Sequence, residues 1–584
     1  MKLFKIVNLI FLSVIVACST AYAGGHKVAR NKQVIFDVDG GRVGNPFQMN
    51  YLVPGGTPRN TGLHQAMWEP LFILNYETGE IDSWMGESMT PNAGQDVWTL
   101  KLRNGITWSD GQSFDADDVV FTIQMLLDDS SKSLEYAGAM QQWISSVGKK
   151  DKRTIEFKLT GPNARFQLDY FSVKIWGGVT ILPEHIWRGQ DPFTFTFYDK
   201  DKGWPIGTGA YKLISASETE FIYARDNNWW GAKSGWKKLP EPEQLVWVVT
   251  NTEETRSMLM TKSNLDSVMD ITLGAFEAIQ ARNRNVQAWW DDMPYSWLDP
   301  CARVLEINNL NPQWSTPGMR HALNSFINRK QIVDVAYEGT TFASKTMFVE
   351  YGGMAKYIDA VVAAGYGHGL GSDPSKGHRI IQANGWKMGS NGFYQKNGET
   401  LEFEIKTHEG YIEKRRIADV LVEQFRKNGI KSMQTPVAGA TWYENKSSGD
   451  FTATMGWDQC GSINEPYASM NRMNHRYMRP LGDSKHGRNN FVRWDTENAK
   501  KFSKIVDDIG VMPLNGPGMV DMVVEAYGYY YHDLPMIPIT QARKLIPFDT
   551  SYWTGWPTAK NNYNHPATWW QSTHQIIHNL KSAK

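Results

Sequence analysis

Around residue 460, acids, amides and flat rings crowd into a short stretch: Trp457, Asp458, Gln459, Asn464, Glu465 and Tyr467, with Trp442 just upstream. Indole and phenol faces pack against the C–H faces of pyranose rings, and planar Asp, Asn, Glu and Gln groups bond sugar hydroxyls. The same two acids, Asp458 and Glu465, could instead serve a glycosidase, which needs two carboxyl groups about 5–10 Å apart. Acids near turns are more often solvated caps. His574 and His578 stand four apart on one helix face, but Gln575 occupies the place where a zinc protease needs its Glu. Packed or solvated histidines are the expectation there. No G-x-S-x-G elbow, phosphate loop or zinc-spaced cysteine pair occurs. Gly207-Thr208-Gly209 lacks the third glycine and the following helix of a dinucleotide site, and reads as a structural turn.

The elements that would position these groups are legible in the pattern. Residues 33–38 read as a strand, and Trp98 to Arg103 alternates at period two. Asn104-Gly105 and Asp110-Gly111 flank Ile106 to Trp108 and suggest a tight hairpin. A helix should start near Asp115 or Asp117, where acidic side chains suit the positive end of the helix dipole. Residues 153–160 and 401–407 read as strands. Residues 316–338 read as one amphipathic helix, and 411–428 as another ended by Asn428-Gly429. No repeat and no low-complexity linker divides the chain.

The chain has 584 residues with 61 basic and 61 acidic side chains, a balance that gives no support to a nucleic-acid binder. Its 24 Trp are an excess, although most single Trp are expected to pack in cores. Residues 1–23 read as an export signal: a basic start, an apolar run over 6–17, and Ala21-Tyr22-Ala23 as a cleavage site. That run is too short for a bilayer anchor. Ile15-Val16-Ala17-Cys18 also fits a lipobox, so lipid anchoring at Cys18 is the alternative. Cys301 and Cys460 then remain, allowing at most one disulfide.

The run from Trp98 to Thr122 (WTLKLRNGITWSDGQSFDADDVVFT) closely resembles the signature of the bacterial family 5 extracellular solute-binding proteins, the oligopeptide- and dipeptide-type receptors of ABC importers. Further pieces follow in that family's order. They are Trp68-Glu69-Pro70-Leu71, Ile181 to His185, Pro205 to Tyr211, Glu306 to Asn308 with Met319 to Leu323, Gly385-Trp386, and Leu534 to Pro538. The resemblance covers nearly the whole mature chain. It implies an α/β, two-lobed Venus-flytrap binding protein of type II, with an extra subdomain in the N-terminal lobe. The expected division is a signal peptide over 1–23, a first-lobe core from 24–67, 205–304 and 535–584, the extra subdomain over 68–204, and a second lobe over 305–534. It also implies binding without reaction, no cofactor and no metal, a periplasmic monomer, and a membrane permease as partner.

On ligand class, peptide-binding members carry Gly-Trp-x-Gly-Asp-x-x-Asp-Pro, whose first Asp pairs with the peptide's ammonium. Counting from Trp457, that Asp becomes Cys460, and the later Asp-Pro becomes Glu465-Pro466, displaced by two residues. A thiol cannot balance a buried ammonium; Asp458, from a neighbouring position, is the alternative partner for it. An oligosaccharide is therefore favoured over a peptide. Trp457 and Tyr467 are expected to stack on or wall the ligand, and Asp458, Asn464 and Glu465 to hydrogen-bond it. By resemblance, Met49, Asn50 and, more weakly, Trp68 are expected to approach from the first lobe.

Overall fold

The computed structural model describes residues 28–38, 42–53, 61–76, 78–174, 177–457, 460–484, 489–567 and 572–583. The export segment with Cys18, and Trp176, Asp458, Gln459, Trp569 and Trp570, lie outside them. Among the described residues, no helix is long and apolar enough to cross a membrane.

The first lobe is built on a mixed four-stranded sheet. Gln33–Val38 pairs in parallel with Gln244–Val249, which runs antiparallel to Glu220–Arg225, itself antiparallel to Tyr211–Ala216. Gln244–Val249 is buried at every position, as a strand covered on both faces requires. The Trp-rich C-terminal tail closes this core. Trp556 packs edge-on against Phe36 at 6.3 Å, and Trp553 Nε1 donates to Gln33 O at 2.6 Å.

The extra subdomain carries a separate antiparallel sheet, ordered Gly86–Pro91, Val97–Leu102, Thr154–Leu159, Ile144–Lys149. Trp98, Leu100 and Leu102 point inward, as the alternation predicts. The hairpin turns at Asp110-Gly111, with Trp108 N donating to Gln112 O at 2.8 Å. Helix Ala116–Asp128 starts on a reciprocal capping box. Asp117 N donates to Asp115 Oδ1 at 2.9 Å, and Asp115 N donates to Asp118 Oδ2 at 3.0 Å.

The second lobe holds a five-stranded sheet ordered Lys431–Val437, Glu402–His408, Ala453–Gly456, Arg303–Ile307, Met536–Thr540. The first three strands are mutually parallel, Arg303–Ile307 runs antiparallel to them, and Met536–Thr540, antiparallel to Arg303–Ile307, runs their way again. Met536–Thr540 therefore pairs within this sheet, beyond the expected boundary at residue 534. The single helix expected over 316–338 is two, Pro317–Phe326 and Arg329–Ala336. The break is local: Asn328 Oδ1 accepts from Gln331 N at 3.0 Å and caps a new helix. Arg329 then turns inward to donate to Pro538 O from Nε at 2.9 Å and Nη2 at 2.7 Å.

Two crossings join the lobes side by side. Trp297–Leu298 pairs antiparallel with Arg543–Lys544, and beyond them the two segments enter the second lobe's sheet as the antiparallel pair Arg303–Ile307 and Met536–Thr540. A buried charge network pins them. Arg303 donates to Glu413 from Nε at 2.7 Å and Nη2 at 3.1 Å, and to Asp299 at 3.4 Å. Tyr337 donates its hydroxyl to the same Glu413. Burial alone would raise the Glu413 carboxyl, but the Arg303 charge and its hydrogen bonds hold it down at about 2. Lys544 lies 3.7 Å from Asp270, whose carboxyl burial lifts to about 6 despite that cation.

A depressed carboxyl contributes stability that is present above its unfolded pKa and lost as pH falls through the folded one. Glu413 therefore stabilises fully above about pH 4.5 and loses that contribution toward pH 2. Asp270 has the opposite sign and acts between about pH 4 and 6. Glu413→Gln should cost roughly 3–5 kcal/mol at neutral pH by stranding Arg303. Thermal melts of both proteins from pH 7 to pH 3 should draw together toward the acid end; parallel curves would refute this role for Glu413.

Candidate functional site

Where parallel strands end in an open α/β sheet, the loops beyond their carboxyl ends form a crevice. Here those ends are His408, Val437 and Gly456. Just past them stand Tyr411, Trp442 and Trp457. Trp457 meets Tyr411 at 5.0 Å, nearly perpendicular, and Trp442 at 5.7 Å. Trp442 is fixed by its indole N–H, which donates to Thr454 Oγ1 at 2.9 Å. The Lys414 ammonium, from the first turn of helix Ile412–Lys427, lies 2.7 Å from the Trp457 ring centre. One face of the predicted stacking residue is thus taken by a cation of the protein itself. Beneath it, Lys446 pairs with Glu306 at 2.9 Å. A Cβ at Gly456 would fall 1.8 Å from Glu306 Oε1, so only glycine fits.

The following loop is tied down on both sides. Cys460 forms a disulfide with Cys301, at the start of one crossing, with Cα atoms 4.3 Å apart. Asn464 reaches the first lobe and donates from Nδ2 to Gly79 O at 2.6 Å. Gly79 turns with φ +71°, and a Cβ there would lie 2.7 Å from Asn464 Cβ, so the approach requires glycine twice over. Glu465 is buried and paired with Arg165 of the extra subdomain, which donates to its Oε2 from Nε at 3.1 Å and Nη2 at 3.0 Å. The Arg165 guanidinium also lies over the Tyr467 ring, 4.6 Å from its centre.

Between the lobes lies an aromatic cluster. Tyr76 of the first lobe stacks on Trp297 of the crossing at 6.1 Å and meets Tyr351 of the second lobe edge-on at 5.7 Å. His565 packs against Tyr76 at 5.2 Å and Trp297 at 5.5 Å, and burial holds its imidazole down at about 4. Trp289 belongs to the same apolar group.

The match to the model of the bacterial extracellular solute-binding proteins, family 5, spans residues 80–477. The chain belongs to that family. Among relatives of this family-5 chain, protein XP55 of Streptomyces lividans is 26% identical over 352 residues, 59% of this chain and 56% of that protein. The oligopeptide-binding protein AppA of Bacillus subtilis is 22% identical over 457 residues, 77% of this chain and 78% of that protein. Among solved structures, a periplasmic oligopeptide-binding protein of an oligopeptide ABC transporter from Thermotoga maritima superposes with a TM-score of 0.81. It is 21% identical, covering 95% of this chain and all of that one. A second structure of it, bound to mannohexaose, superposes with a TM-score of 0.76 at 20% identity, covering 95% and 99%. These likenesses establish the two-lobed binding-protein fold.

In this family-5 chain, the loop 457–467 does carry Trp457, Asn464, Glu465 and Tyr467 together. The polar groups of Asn464 and Glu465, expected on a ligand, are turned instead to the opposite lobe. Asp458 lies outside the described residues. Met49 and Asn50, expected on the cleft, are buried within the first lobe. Asn50 Nδ2 donates to Pro192 O at 2.8 Å and Phe195 O at 3.0 Å, while its Oδ1 accepts from Leu52 N at 3.0 Å. The family resemblance places this loop on the cleft; the amide is in fact consumed by holding two loops together. Trp68 is likewise scaffold, donating from Nε1 to Ile206 O at 3.1 Å beside His64 and Tyr51. Trp229 and Trp230 are core, and Trp230 Nε1 donates to the buried Glu69 at 2.8 Å. His574 and His578 pack among aromatics, as expected, and among the described residues no group of His, Cys, Asp or Glu could hold a metal.

Sequence reasoning missed Tyr76 and Tyr351, which carry no motif, and Lys414, hidden in an ordinary amphipathic helix. It also missed Arg165, whose only sequence signal is a charge between Ala164 and Phe166.

The disulfide closes a separation of 159 residues. Replacing both Cys301 and Cys460 by Ser should lower stability by roughly 2–5 kcal/mol. The wild-type melting temperature should fall on reduction while the double variant stays insensitive to reductant; equal sensitivity of both would show that the bridge does not form.

Proposed function

We propose that this protein is the substrate-binding receptor of an ABC importer, exported to the periplasm and acting there as a monomer. It captures an oligosaccharide between its lobes and hands it to a membrane permease, with no reaction and no cofactor. Family membership and the two-lobed fold support the receptor reading. One observation carries the ligand class: Cys460, which stands where peptide-binding members place the Asp for the ligand's ammonium, is bonded to Cys301. A disulfide sulfur has no charge and no proton to give. The Lys414 ammonium at Trp457 adds positive charge beside the same position, and Glu465 is already committed to Arg165. Among the described residues a ligand ammonium would find little compensation there, and an unbalanced buried charge is costly.

A neutral, hydroxyl-rich ligand fits the aromatic lining better. Tyr76, Trp297 and Tyr351 supply flat walls between the lobes, and Trp457 with Tyr411 supplies another beyond the strand ends. The mannohexaose held by the Thermotoga maritima protein is consistent with this lining. Peptides are the second reading, favoured by the similarity to AppA over most of both chains. Residues 305–534 are assigned to the second lobe, with strand Met536–Thr540 completing its sheet, and 68–204 to the extra subdomain.

The test is thermal unfolding of the mature chain against manno- and gluco-oligosaccharides and against di- to pentapeptides. A ligand at 100 times its Kd stabilises by about 2.7 kcal/mol. Stabilisation by saccharides alone is expected, with Trp457→Ala and Tyr76→Ala each weakening it by about tenfold, or about 1.4 kcal/mol. Chromatography should recover the saccharide intact. Stabilisation by peptides alone would overturn the ligand class, and cleavage of the saccharide would overturn the receptor reading.

A further inference from the structure

Arg165 is a first-lobe residue whose guanidinium is satisfied entirely by the second lobe. Its backbone is fixed in the extra subdomain: Arg165 N donates to Asn163 Oδ1 at 2.9 Å, and Asn163 N donates to Gln95 O at 2.9 Å. Phe166, beside it, packs against Phe157 and Phe171. From this rigid base the side chain crosses the cleft. It donates from Nε and Nη2 to Glu465, and from Nη1 to Ile509 O at 3.1 Å, Gly510 O at 3.0 Å and Met512 O at 3.2 Å.

Those three carbonyls end helix Glu497–Val511. The last carbonyls of a helix lack partners within it and carry the negative end of its dipole, which favours a cation. Glu465 Oε2 also accepts from Tyr467 N at 2.9 Å, which holds the carboxylate in place for the guanidinium. Arg165 and Glu465 are both about 1% exposed. Separating the lobes would strip the guanidinium of every protein acceptor named here and leave the Glu465 charge without its cation. Both would then have to be rehydrated.

We propose that Arg165 is an interlobe clasp: its insertion between Glu465 and the end of helix Glu497–Val511 sets the equilibrium between closed and open lobes, and so scales affinity for every ligand alike without choosing among them. This rests on the receptor reading only where ligands are concerned. The clasp is a positioning device and touches the solute at no point. Because apparent affinity is intrinsic affinity multiplied by the closed fraction, loss of the clasp lowers all affinities by one common factor.

The experiment pairs X-ray scattering with titration on the mature chain, comparing wild type, Arg165→Ala and Glu465→Gln. Without added sugar, both variants should show a larger radius of gyration than wild type. With mannohexaose and with a shorter manno-oligosaccharide as probes, apparent affinity should fall about tenfold for both sugars, leaving their ratio unchanged. An unchanged radius of gyration in a folded variant overturns the clasp. A changed ratio between the two sugars overturns it as well, since it would make the pair a ligand contact. Should Arg165→Ala fail to fold, the isosteric Glu465→Gln decides. Should wild type bind neither sugar, the ligand class falls and the scattering comparison still decides the clasp.

Discussion

The structure turns on keeping Arg303 neutralised. Its strand is a central member of the second lobe's sheet and begins at a crossing, so its guanidinium sits where the two lobes and both crossings meet. Burying that charge is tolerable only because Glu413, Asp299 and the Tyr337 hydroxyl converge on the region. Glu413 arrives from the start of helix Ile412–Lys427, the same turn that presents Lys414 to Trp457. One helical turn therefore serves both the hinge and the site. A shift in the crossings is felt at the aromatic wall within a residue of its cause.

Three uses of aromatic rings divide the Trp excess. In the first lobe, Trp229, Trp230, Trp553 and Trp556 fill a core, with indole N–H groups satisfied inside the lobe or by Glu69. Between the lobes, Tyr76, Trp297 and Tyr351 make a boundary that can separate. Beyond the strand ends, Trp442 and Trp457 form a wall anchored on one side and half exposed on the other. Tyr76, Trp297 and Tyr351 are buried at that boundary, whereas Trp457 in the last group is partly exposed.

Much of the fold was legible because its signals are local. The alternation of Trp98 to Leu102, the cap at Asp115 and the end at Gly429 each depend on a few neighbouring residues. The break at Asn328 was less legible, since the apolar stripe runs on across it and only a cap bond and the inward turn of Arg329 interrupt the helix. The site was half legible. Its loop was found because a family pattern marks it, while the rings of Trp457 and Tyr467, expected to meet a ligand, are met by Lys414 and Arg165 of the protein itself. The partners of Asn464 and Glu465 are 385 and 300 residues away, and no spacing rule reaches that far. Asn50 misled for the same reason: an amide reads identically whether it will meet a ligand or two backbone carbonyls.

The bridge between Cys301 and Cys460 has a mechanical consequence. It fastens the 460–467 loop to the sheet strand leading out of the crossing, so that the loop cannot peel away from its own lobe one residue at a time. The covalent tie leaves only four and five residues from Cys460 to the contacts of Asn464 with Gly79 and of Glu465 with Arg165, so both interlobe bonds hang from one anchor.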